Sequence, residues 1–174
     1  MNNDEHLRYP IGKFSAQDSY TAQELQQYIN RIEALPSKIE ALIRNFTAAQ
    51  YDTPYREGGW TARQVLHHVA DSHMNAYIRF KWTLTEDTPL IKAYDEKFWA
   101  ETPEVKLDPQ ISVNLLKALH VKWVALLKLI RPEDLKRAFT HPDTKKNVPL
   151  DRLMATYAWH GEHHLGHLEI ISKK

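Results

Sequence analysis

Four of the ten histidines fall between His160 and His167, at positions 160, 163, 164 and 167. The stretch around them reads as helix, and histidines four apart on a helix share a face, one turn above the other. At that spacing His160 and His164 can grip one metal ion through two imidazole nitrogens. A second group, His67, His68 and His73, stands far earlier in another helical stretch. The chain has no cysteine, so thiolate ligation, disulfides and a cysteine nucleophile are excluded and any metal must be held by nitrogen or oxygen. Two histidine-bearing helices therefore predict a three-histidine centre inside a helical bundle.

Other chemistries lack their signatures. The zinc-protease pattern HExxH and its inverse HxxEH are both absent, because Glu162 stands two residues after His160 rather than one or three. Glu162 also projects toward the opposite side of the helix. No GxSxG elbow accompanies any serine, and no GxGxxG or Walker sequence is present. A net charge of +1 with no basic patch argues against nucleic acid as a partner and leaves a small-molecule substrate. Met1–His6 is polar and acidic rather than a secretory leader, and no window approaches the roughly eighteen apolar residues of a membrane helix. The expectation is a soluble, cytoplasmic protein, with residues 1–174 forming one domain.

Four long segments carry the helical period and must position the histidines. The first runs from about Ala22 to Phe46 on a stripe of Leu25, Ile29, Ile32, Ile39 and Ile43. Thr21 and Glu24 supply a capping box, and Pro36 falls inside, where it should kink or split the helix. The second runs from Thr61 to about Leu84, the third from about Ile111 to Ile130, and the fourth from Pro149 to about Ser172. Four amphipathic helices predict an all-α, four-helix bundle whose long connections carry short extra helices. Residues 85–110, with Tyr94, Phe98 and Trp99 among prolines, should hold a short helix and cover the bundle as a lid or partner surface. Residues 131–149 should make one helical turn at Glu133–Arg137 and then a turn or hairpin around His141-Pro142-Asp143.

Helical phase sorts the candidates. Against the core direction through Leu150, Gly161 and Leu168, His164 lies roughly 50° away and His160 roughly 90°, on the same side. His163 should face water, and His167 shares the His160 flank as a further ligand or as a partner to one. In the second segment His73 points inward, either as a ligand or as an ordinary core histidine with a hydrogen-bond partner. His68 sits at the stripe edge with Ser72, and His67 points away. His68 and His73 are roughly 140° apart, too far round to chelate one ion together.

The strings Tyr9-Pro10-Ile11-Gly12, DTPYREGGWTARQVLHHVADSH from Asp52 to His73, HPDT from His141 to Thr144 and YAWHGEHHLGH from Tyr157 to His167 resemble the DinB superfamily. The likeness is to its YfiT-like branch of metal-dependent hydrolases. The resemblance implies one divalent ion per chain, zinc or nickel, on three histidines. The histidine before Val-Ala-Asp matches the first family ligand, His68, and the pair four apart matches the others, His160 and His164. Where many relatives have Arg-Gly-Gln next, this chain has Leu165-Gly166-His167. Family members include hydrolases and proteins that transfer low-molecular-weight thiols such as bacillithiol to electrophiles, and homodimers are common among them, so the resemblance implies a homodimer here. The expectation is a metal-dependent enzyme that activates water or a thiol, a hydrolase or thiol S-transferase. The competing reading is a non-catalytic bundle that keeps the ion for stability. Asp71, one turn beyond His68, could orient that imidazole or could be a solvated surface carboxylate.

Overall fold

The computed structural model describes residues 4–174. A single turn, α1 (Glu5–Arg8), precedes the first long helix, α2 (Ala22–Ile43). Thr21 starts α2 through a capping box: its hydroxyl accepts from the Glu24 N–H at 3.2 Å, and the Glu24 carboxylate accepts from the Thr21 N–H at 2.7 Å. Pro36 does not interrupt the helix. The helix ends at Ile43, short of the expected Phe46, because Thr47 caps a separate turn, α3 (Ala48–Tyr51), with Gln50. Thr61 and Gln64 form a third capping box at the start of α4 (Ala62–Thr85).

The connection after α4 holds α5 (Glu96–Trp99) and a 3₁₀ turn at Pro103–Lys106, and leads into α6 (Gln110–Leu129). A second 3₁₀ turn (Asp134–Lys136) leads to a small antiparallel hairpin, β1 (Ala138–Thr140) with β2 (Asn147–Pro149), in which Phe139 pairs with Val148. Residues 89–91 add a parallel bridge to β1, so Thr140 N–H donates to Pro89 C=O at 2.9 Å. The last helix is α7 (Leu150–Ser172).

Within the bundle α2 packs on α6 and α7, and α4 packs on the same two. Helices consecutive in the chain, α2 and α4 or α6 and α7, therefore lie across diagonals. Short loops join neighbours in a bundle; here the connections 44–61 and 130–149 are long enough to cross its ends.

The interior is divided. One apolar cluster gathers Ile29, Ile32, Phe80, Trp123, Leu127 and Met154, and the other Leu35, Ile39, Val65, Val69, Leu116 and Leu168. Between them lies a polar stratum containing the fully buried His73 and the nearly buried His120. Gly161 makes room there. A Cβ on it would stand 2.5 Å from a Leu35 methyl and 3.4 Å from His73 Cε1, so α2 and α7 approach closely only because that atom is missing.

Candidate metal centre

α4 supplies His68 and α7 supplies His160 and His164. One ring nitrogen from each falls within 4.8 Å of the others. His68 Nε2 and His160 Nε2 face each other at 3.2 Å. Zinc–nitrogen bonds of about 2.0–2.1 Å at tetrahedral angles would separate two ligand nitrogens by about 3.3–3.4 Å. The spacing fits the grip of an ion. So does the chemistry of the rings, since ligation needs neutral imidazole. Burial pushes His68 down to about 4 and holds His160 and His164 well below the ordinary histidine value, with neighbouring imidazoles adding to the effect. No fourth histidine or carboxylate joins the group among the described residues.

The three rings border a cleft of about 490 Å³, whose other walls include Trp60, Ser72, Arg79 and Tyr94. Trp60 lies over the His68 ring at 4.6 Å between centroids. Tyr94 comes from the long connection before α5, which thus lines part of the cleft, while Phe98 on α5 stays 70% exposed. Burial pushes the Tyr94 hydroxyl up to about 12, so it stays protonated. Arg79 Nε is buried without a hydrogen-bond partner among the described residues.

Two orientations differ from the phase reading. His67 does not point away: it is 4% exposed, and its Nδ1 lies 2.8 Å from Ser112 Oγ on α6. Nor does His163 face water. It is 8% exposed, stacked on Trp159 at 4.6 Å and beside Tyr9 at 6.0 Å. The cause is shared. Phase was measured against one stripe, but α4 packs on two helices, and α7 is strapped by the N-terminal segment on its flank. Pro10 sits where a Cβ on Gly166 would be, at 2.8 Å, and Trp159 Nε1 donates to Gly12 C=O at 3.1 Å.

His73 takes the second of its two readings. It belongs to the core, its Nδ1 2.9 Å from His120 Nε2 and its Nε2 3.3 Å from His160 Nδ1. His167 likewise stands behind a triad member, with Nδ1 3.3 Å from His164 Nδ1 and Nε2 3.2 Å from Arg8 C=O. The Asp71 carboxylate makes no hydrogen bond to His68 among the described residues; burial, with Glu104 nearby, pushes it up to about 6. Glu162 pairs with Arg31 of α2, outside the triad.

Residues 31–168 match the family model of the DinB superfamily. The chain belongs to the DinB superfamily. Among DinB relatives it is YfiT-like. It is 45% identical over 170 residues to a Bacillus subtilis (strain 168) protein named "Putative metal-dependent hydrolase YfiT", covering 97% of this chain and 96% of that one. A Bacillus cereus (strain AH820) protein, also named a metal-dependent hydrolase of that kind, is 48% identical over 168 residues, with 97% and 96% covered. The solved structure of YfiT from Bacillus subtilis, described as "a probable metal-dependent hydrolase with an unusual four-helix bundle topology", superposes with a TM-score of 0.94. It is 46% identical and covers 97% of each chain. TT2238, another four-helix bundle, shares the fold alone, at 22% identity and a TM-score of 0.58 over 83% of this chain and 98% of its own.

The motifs and the histidine spacing do not single out His120, Trp60 or Arg79. For His120 a signal existed: it continues the spacing of Leu116, Trp123 and Leu127 on the apolar face of α6. Trp60 and Arg79 carry no such signal, because only the packing of loops and helices brings them to the cleft.

Proposed function

We propose that this chain is a metal-dependent hydrolase in which His68, His160 and His164 hold one divalent ion, zinc or nickel, at the floor of the cleft. The observation that carries this reading is the convergence of three imidazoles, with no fourth histidine or carboxylate among the described residues, beside a cavity of about 490 Å³. Sites that keep a position open are catalytic rather than structural. A divalent ion bound there supplies Lewis acidity, which brings water, or a thiol, to its nucleophilic form near neutral pH.

The remaining walls define what enters. Trp60 supplies an apolar side, Tyr94 a protonated hydroxyl able to donate, and Arg79 a guanidinium whose Nε has no partner among the described residues. A small substrate carrying an acidic group suits that set, because a carboxylate would pair with the Arg79 guanidinium.

Turnover by zinc- or nickel-loaded protein on esters and amides, with and without an acidic substituent, tests the proposal. Metal-dependent hydrolysis favouring the acidic members is expected. A parallel panel of electrophiles with low-molecular-weight thiols separates the two nucleophiles: activity in that panel alone replaces hydrolysis by thiol S-transfer. Inactivity in both, together with an ion closed by a fourth ligand, makes the metal structural.

A further inference from the structure

We propose that two backbone carbonyls, Ile32 C=O and Arg8 C=O, set the ring tautomers of His160 and His164 through interposed histidines, so that both present an Nε2 lone pair to the metal. The inference rests on the metal site proposed above and concerns residues behind it, which position the ligands without touching substrate.

The first relay begins at Pro36. In an α-helix the carbonyl of residue 32 accepts from the N–H of residue 36, and proline has none. His120 Nδ1 lies 2.7 Å from Ile32 C=O. A carbonyl can only accept, so His120 must carry its proton on Nδ1. A neutral imidazole has one donor and one acceptor nitrogen, which leaves His120 Nε2 as an acceptor. His73 Nδ1, 2.9 Å away, must then donate, and His73 Nε2 becomes an acceptor. His160 Nδ1, 3.3 Å further on, must donate in turn. The only lone pair left on His160 is at Nε2, the nitrogen that faces His68 Nε2 at 3.2 Å.

The second relay runs from the N-terminal segment. His167 Nε2 lies 3.2 Å from Arg8 C=O and must donate to it, so His167 Nδ1 is an acceptor. His164 Nδ1, at 3.3 Å, donates to that nitrogen, leaving its Nε2 for the ion. Tyr55 stacks on the His167 ring at 3.9 Å, 15° from parallel, and fixes its plane. Each relay does for its ligand what a carboxylate commonly does behind a metal-bound histidine: it selects the tautomer and holds the ring. Both end on main-chain oxygens, whose polarity no side-chain change can reverse.

Two measurements test this. In ¹⁵N-histidine-labelled, metal-free protein, two-bond ¹H–¹⁵N spectra should show protonated Nδ1 on His73, His120, His160 and His164, and protonated Nε2 on His167. A protonated Nε2 on His160 would overturn the first relay whatever the variants do. By chelator competition, His120→Leu should weaken zinc binding by about 10–100-fold, whereas His120→Gln, which keeps a donor and an acceptor, should stay within about threefold of wild type. Folded His120→Leu protein with wild-type affinity, or a His120→Gln variant as weak as the leucine one, would overturn the proposal. Should His120→Leu not fold, the tautomer spectra decide. A wild-type chain that binds no zinc would instead remove the metal site itself, which keeps the two failures distinct.

Discussion

Acid should unfold the metal-free chain near pH 5, well above the range in which carboxylates titrate. Burial holds eight imidazoles below their ordinary value, four of them, His68, His120, His163 and His167, at about 4. In the unfolded chain the same rings titrate near about 6.5. Between those values the unfolded state binds protons that the folded state refuses. The stability these groups contribute is thus fully present above about pH 6.5 and drains away as pH falls toward about 4. One ring shifted from about 6.5 to about 4 costs about 2 kcal/mol at pH 5, and four cost about 8, within the 5–15 kcal/mol that holds a whole domain together. Denaturant titrations of chelator-treated protein at pH 7.5, 6 and 5 should show the unfolding free energy falling steeply. His120→Gln should flatten that slope by about 1.4 kcal/mol per pH unit, since one titrating ring is gone. Zinc, which selects the neutral folded rings, should move the transition to lower pH. An unfolding free energy that is flat from pH 7.5 to 5 would refute the idea that these rings are kept neutral by burial.

Removing a proposed ligand should separate metal from fold. His164→Ala should abolish zinc binding in a chelator competition yet leave most of the far-ultraviolet circular dichroism, because neither apolar cluster counts that ring among its members; collapse of the helical signal would mark the ion as structural. Thr61→Ala removes the hydroxyl that accepts from the Gln64 N–H at 3.2 Å and should cost about 1 kcal/mol of unfolding free energy, a loss that denaturant titration resolves. Gly161→Val drives a side chain into Leu35 and the His73 edge; overpacking of this kind costs about 1–3 kcal/mol, and a melting temperature equal to wild type would show that α2 and α7 can separate there freely.

Much of the architecture follows from local pattern. The four long helices, the capping boxes at Thr21 and Thr61, the hairpin after the turn at Asp134–Lys136 and the short helix at Glu96–Trp99 all depend on residues close together in the chain. So does the i, i+4 pairing of His160 with His164, since helix geometry alone puts them on one face. His68 could be matched to them from the edge of its stripe and from the family string, and the structure brings it there.

What the sequence could not determine was which surfaces the helices would share. The diagonal placement of α2 and α4 is a property of long connections, and it buries both flanks of α4. That is why His67 lies against Ser112 rather than in water. The burial of His163, and the position of His167 behind His164, depend on an N-terminal strap more than a hundred residues away in the chain. The stratum of His73 and His120 rests on one carbonyl released by Pro36 on a third helix. Periodicity reports the direction of a side chain relative to its own helix axis. A hydrogen bond between rings on separate helices also needs their spacing, rotation and order around the bundle, and those are settled only when the whole core packs.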